Sequence, residues 1–180
     1  MPITTTRDYT KILEILSGGT VIPGTTVGAG GLGLRVVRAA DADPQNVWEA
    51  IFTIAGGIIA VTGLYGVRTV IQAGGASTMQ FQHDVAGVMD DGTLIVTGDT
   101  VGTVYSLTGN VAGPIVHGIG GLIVEGGKVV ATSATYGTIP LFILGAGDIE
   151  VTMTAAAGTG STEYALTYIP LDDDVTVVAA

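Results

Sequence analysis

Beyond Val47 the hydrophobic positions abandon any helical period and begin to alternate, in short runs closed by glycine or by Asp, Gly and Asn turns. "VWEAIFTIA" opens the series. The clearest later runs are Ile58–Thr62, Val67–Gln72, Thr78–His83, Thr93–Thr97, Thr103–Thr108, Ile115–Val116, Lys128–Ala131, Ile139–Leu144, Ile149–Thr154, Glu163–Ile169 and Val175–Val178. In "STEYALTYIP" the period of two sets Tyr164, Leu166 and Tyr168 on the face opposite Glu163 and Thr167. Asp91-Gly92 and Gly109-Asn110 are hairpin signals. "GTLIVTGD" (92–99) echoes "GTVYSLTGN" (102–110), and because the echo does not recur it reads as two arms of a meander.

A helical pattern occurs only near the start. In "TTTRDYTKILEIL" the residues Tyr9, Ile12, Leu13 and Leu16 fall at i, i+3, i+4 and i+7. Thr5 or Thr6 can cap this helix, and Ser17-Gly18-Gly19 stops it. A Gly/Thr-rich lead follows, so residues 1–33 read as a helix and glycine-rich arm, and 34–180 as the body. No later segment reads as a long helix. The expected fold is all-β: an antiparallel β-sandwich or barrel, jelly-roll-like, carrying a short N-terminal helix and arm.

Composition adds a demand for partners. Hydrophobic residues make up 47% of the chain and charged residues 12%, about half the usual charged share. So few charges leave apolar surface that subunit contacts can cover. Residues 1–40 hold Arg7, Lys11, Arg35 and Arg38 against Asp8 and Glu14, whereas the remainder sets Arg68 and Lys128 against fourteen acids. The acidic body repels phosphate backbones, so no nucleic-acid partner is expected. No basic, apolar leader opens the chain, and no signal peptide is expected. Ala50 to Val67 runs 18 residues without a charge. As a helix it would measure about 27 Å, just short of a bilayer core. Its β-branched residues and its glycines instead predict two buried strands meeting at Gly56-Gly57, so no membrane partner is expected.

Candidate chemistry is sparse. Gly28-x-Gly30-x-x-Gly33 has dinucleotide-fingerprint spacing, but "TVIPGTT" leads in with a proline and "LGLRVVRAADADP" leaves as a strand. The fingerprint works through a strand entering and a helix leaving, with helical amides facing the pyrophosphate. In a chain of 29 glycines these read as a connection, and no cofactor is expected. His83 and His117 are the only histidines, cysteine is absent, and no metal spacing occurs, so no metal is expected. His83-Asp84 can pair locally. The serines form no G-x-S-x-G elbow. Asp90-Asp91 and Asp172-Asp173-Asp174 are adjacent acids that point apart, which favours solvated turns over a glycosidase pair or a weak Ca²⁺ site. Trp48, Tyr65, Tyr105, Tyr136, Tyr164 and Tyr168 are scattered through strands, and a carbohydrate site would need two or three on one exposed face. No catalytic constellation stands out, and the chain is not expected to be an enzyme.

"FTIAGGIIAVTGLYGVRT" (52–69), "DTVGTVYSLTGNVAGP" and "STEYALTYIPLDDDVTVVAA" (161–180) resemble small structural proteins of tailed bacteriophages. The similarity covers residues 48–180 and rests on texture: a Gly-Gly strand corner and a terminal Tyr-x-Pro-Leu-Asp-Asp run. The resemblance implies a capsid decoration, or cement, protein on the virion exterior. It would be commonly trimeric, bound to the major capsid protein, with N-terminal residues reaching neighbouring subunits. Candidate capsid or subunit contacts are Tyr9, Ile12, Leu13, Leu16, Arg35 and Arg38. The alternative is a receptor- or carbohydrate-binding head module of a phage tail fibre or spike, which requires an exposed aromatic cluster. A small glycan-cleaving enzyme, which needs convergent carboxylates, is the third reading.

Overall fold

The structure is a computed structural model, and it describes residues 33–72, 76–113, 115–118, 142–154 and 160–180. Those residues form twelve strands and no helix. The expected N-terminal helix, the Lys128–Ala131 run and residues 139–141 lie outside them.

Two six-stranded antiparallel sheets share one core. The first sheet runs β1 (Leu34–Ala42), β11 (Ser161–Pro170), β3 (Ile59–Val70), β7 (Val104–Ser106) and β8 (Val116–Gly118); β9 (Phe142–Leu144) lies on the same edge of β3 as β7. The second runs β12 (Thr176–Ala179), β2 (Glu49–Ala55), β10 (Gly147–Met153), β4 (Thr78–His83) and β5 (Gly87–Val88), with β6 (Leu94–Ile95) further along β4. Successive long strands change sheet: β1 lies in the first, β2 in the second, β3 in the first and β4 in the second.

Gly56-Gly57 is where one such change occurs. The chain leaves β2 and enters β3 in the other sheet, so the two buried strands meet there without pairing. Gly56 has φ +80°, and a Cβ on it would lie 2.4 Å from the Asp174 carbonyl oxygen. Glycine is the residue that accepts both conditions. The Asp172 carboxylate accepts the Ile58 N–H at 2.7 Å and holds the corner against the turn before β12.

The core follows the alternation. Tyr164, Leu166 and Tyr168 on β11 point inward, as do Leu34 and Val36 on β1 and Ile59, Val61 and Leu64 on β3. Ile51, Phe52, Ile54, Met79, Phe81, Ile149 and Val151 face them from the second sheet. Phe81 and Tyr164 meet edge to face across the core, 5.9 Å between centroids.

Several sequence readings change here. Ile58–Thr62 and Val67–Gln72 are parts of one twelve-residue strand, β3. Its register against β11 slips at Thr62 and again at Thr69, and such bulges break the period of two that the sequence would otherwise show. Asp91-Gly92 makes no hairpin: it joins β5 to β6, which line up on the same edge of β4. Gly109-Asn110 does sit in the connection of a hairpin, between paired β7 and β8. The echoing segments are not arms of one meander, because β6 and β7 belong to different sheets.

Leu166 is wholly buried at the centre of the first sheet's inner face. Leu166→Ala is expected to cost about 2–5 kcal/mol, from the lost burial and the gap left behind. Asp174→Asn, on the exposed turn before β12, should change stability by less than about 0.5 kcal/mol. Urea midpoints of the two variants check both values.

Candidate functional site

Two regions stand apart from ordinary core and loop. One is a buried polar cluster at one end of the first sheet. Arg68 is the next inward-facing residue after Ile59, Val61, Leu64 and Gly66 on a bulged strand, and its register opposite Thr162 carries it into the interior at 0% exposure. Its Nη1 donates to Asp43 Oδ2, and Asp43 Oδ1 accepts from the Thr162 hydroxyl at 2.7 Å. Its Nε donates to the Tyr105 hydroxyl at 3.1 Å. Tyr105 passes its own proton to Asp99 Oδ2 at 3.0 Å, and the same oxygen lies 3.1 Å from His117 Nδ1. The chain of contacts thus runs from a partly exposed histidine on β8 to a guanidinium in the core. A Cβ on Gly160 would come within 3 Å of Gln72 Oε1, Asp43 Oδ2 and Arg68 Nη1, so the backbone closes over the pair at that residue.

Electrostatics agree with this geometry. Burial by itself would push the Arg68 guanidinium down, but the Asp43 carboxylate, and after it the Tyr105 hydroxyl, hold it above its ordinary value. Burial pushes the Tyr105 hydroxyl well up, against the opposing pull of Arg68. Both groups therefore keep their protons throughout the physiological range. They act as donors within the cluster. The cluster is a structural tie.

The second region is the outer face of the first sheet. Opposed residues across the strands share a face, so Ile143, Ala60 and Ile169 form one row. Thr167 and Arg35 form the next, followed by Ser106, Tyr65, Ala165 and Val37, and then by Val104, Val67 and Glu163. Ile143 is 65% exposed, Val37 39% and Ile169 38%. Arg35 and Glu163 are the charged residues in these rows. The outer face of the second sheet is built differently. It carries hydrogen-bonded polar pairs, Thr53 with Asp148 at 2.7 Å, Gln82 with Glu150 at 2.6 Å and Thr78 with Thr154 at 2.7 Å, in rows that also hold exposed Val178, Val88 and Ile95.

The candidate contact residues fall as follows. Tyr9, Ile12, Leu13 and Leu16 lie outside the described residues. Arg35 stands exposed on the outer face of the first sheet. Arg38, three positions on in a period of two, points the other way. Its Nε donates to the Ala180 carbonyl at 3.1 Å, and its Nη2 to Asp41 and Glu49, which fastens the end of the chain against β1.

The histidines and acids also have local roles. His83 is buried; its Nδ1 accepts from the Ala86 N–H at 3.1 Å, which leaves Nε2 as the donor to the Gly145 carbonyl at 3.3 Å. Asp84 Oδ1 lies 3.7 Å from His83 Nδ1. Asp90 and Asp91 diverge: Asp91 closes an exposed turn on Thr93, while Asp90 is buried and accepts from the Phe81 and Gly92 N–H groups, each at 2.7 Å. Among the described residues no group of three or more His, Asp or Glu side chains could hold a metal, and no helix is long and apolar enough to cross a membrane. Of the aromatics, Tyr105, Tyr164 and Tyr168 are buried, Tyr65 lies half-buried on the outer face of the first sheet, and Trp48 precedes β2 in the second. The buried cluster escaped the sequence reading because one arginine in a strand reads as solvent-facing; the slipped alternation around Gly63 and Gly66 was the available signal. Comparison with family models, curated proteins and solved structures finds no match.

Removing one partner of the buried pair strands the other. Arg68→Met is expected to cost about 3–5 kcal/mol, and Arg68→Met with Asp43→Leu distinctly less than the two single changes added together. Denaturant titration of the three variants tests this. Asp90 gives a pH prediction. Burial, opposed by its two backbone donors, raises its carboxyl to about 6. The fold therefore favours the protonated form, so this contribution is full below about pH 4 and is lost as the pH rises through 6. The unfolding free energy of the wild type should fall across that window relative to Asp90→Asn, measured by urea midpoints from pH 4 to 7.

Proposed function

We propose that this protein is a structural component of a tailed-phage virion, a capsid decoration protein that binds the major capsid protein on the head exterior as a homotrimer. It works by covering surface and has no enzymatic role. The observation that carries this reading is the outer face of the first sheet. Exposed Ile143, Ile169 and Val37, with half-buried Tyr65, share it with few charges, while the opposite sheet sets its exposed Val88, Ile95 and Val178 among hydrogen-bonded polar pairs. A sheet face of that kind is stabilised by being covered, and repeated copies on a lattice are a natural cover. Closed threefold symmetry limits the assembly to a finite body.

The fold suits the role. Set aside β6, β7, β8 and β12, and the strand order β1-β11-β3-β9 against β2-β10-β4-β5 is that of a jelly-roll sandwich, an architecture common in virion proteins. The polar residues that might suggest chemistry, Arg68, Asp43, Tyr105, Asp99 and His83, have partners inside the body. The fibre-head alternative requires exposed clustered aromatics, and three of the tyrosines are in the core.

The test is occupancy on cognate capsids. Val37→Asp and Ile169→Asp, both on exposed positions of the first sheet, should fold normally and lose capsid binding at least tenfold. Ile95→Asp, exposed on the second sheet, should bind as the wild type does. Light scattering should show a trimer. Equal binding by all three variants, or tagged protein found at the tail tip and not on the head facets, overturns the reading.

A further inference from the structure

We infer that the N-terminal segment Tyr9–Leu16 docks, in the same chain, on the outer face of the first sheet. The inference concerns the free protein, because on a capsid the segment and the major capsid protein would compete for this face. Its first support is where the arm joins the body. Gly33 follows the arm directly, and a Cβ on it would lie 3.1 Å from Ile169 Cγ1, so the chain enters beside the row formed by Ile143, Ala60 and Ile169.

The second support is chemical fit. Tyr9, Ile12, Leu13 and Leu16 form a stripe too short to be stable as an isolated helix, and it needs an apolar partner surface. The sheet face offers exposed Ile143, Ile169 and Val37 with half-buried Tyr65, set around the buried Ala60 and Ala165. The segment carries Lys11 and Glu14, with no net charge, and Arg35 and Glu163 balance each other on the face. Neither surface repels the other.

The third support is reach and competition. The residues from Leu16 to Gly33 span at most about 55–60 Å, whereas four strands of sheet are about 15–20 Å across. A tether of this length gives an effective concentration on the order of millimolar, above that of a second molecule in solution. Docking within the chain therefore outcompetes docking on another copy.

The chain contains no cysteine, which permits a clean cross-linking test on the free, full-length protein. In Ile12→Cys/Ile169→Cys, mild oxidation should give a disulfide within one chain in most molecules, with a yield independent of protein concentration. The control Ile12→Cys/Ile95→Cys places the second sulfur on the other sheet and should give at least fivefold less. Adding Leu13→Asp and Leu16→Asp should cut the yield of the first pair by a similar factor. The inference is overturned by disulfides that form only between chains, by equal yields from both pairs, or by a yield unaffected by the Asp changes. Preferential capture of Ile169→Cys by Leu122→Cys would also overturn it, by giving the face to residues 119–141. Because no capsid is present, these outcomes test docking in the free protein alone; capsid occupancy tests the decoration reading separately, in which the capsid displaces the segment from this face.

Discussion

Placing a full positive charge in a core obliges everything around it to be polar or to supply compensation, and Arg68 imposes that condition here. Its compensation comes from four separate parts of the chain: Asp43 after β1, Thr162 on β11, Tyr105 on β7 and, through Tyr105, Asp99 in the preceding loop. None of these groups can shift far without leaving a buried charge or hydroxyl unpaired. One end of the first sheet is therefore fixed by charge and hydrogen bonding, while the other is fixed by close-packed Ile59, Val61, Leu144 and Tyr168. Hydrophobic packing alone tolerates small sliding between strands; the arginine pair gives the register a specific reference point.

The two outer faces show how a chain with so little charge distributes it. Polar side chains of the second sheet hydrogen-bond to one another across strands, between exposed Val88, Ile95 and Val178. The first sheet has spent its strongly polar residues inward, on Arg68, Arg38 and their partners, and offers a mostly apolar exterior. The surface available for docking and the buried ion pair are thus two results of the same allocation.

Much of this was legible from the residues and some of it was not. Tyr164, Leu166 and Tyr168 were readable because β11 alternates without interruption over that stretch. β3 looked like two strands because Thr62 and Thr69 are extra residues opposite β11, so counting by two loses its phase. Arg35 and Arg38 were grouped by charge as contacts, although an odd spacing in a strand already separates their faces. The change of sheet at Gly56-Gly57 was readable as a corner but not as a crossing, because local sequence records that a strand ends and does not record which strand it will pair with. The same limit hid the Arg68–Asp43 pair, whose members are brought together only once β1 and β3 both pair with β11.

That pairing order has a consequence in time. β1 bonds to β11, which begins at Ser161, and β2 bonds to β10 and β12, which begin at Gly147 and Thr176. A ribosome making this chain releases its first two strands long before their neighbours exist. Apart from the β3–β7, β4–β5, β4–β6 and β7–β8 pairings, the nascent protein must wait, with apolar strand edges open, until its last third emerges. The strands most in need of protection are made first and completed last.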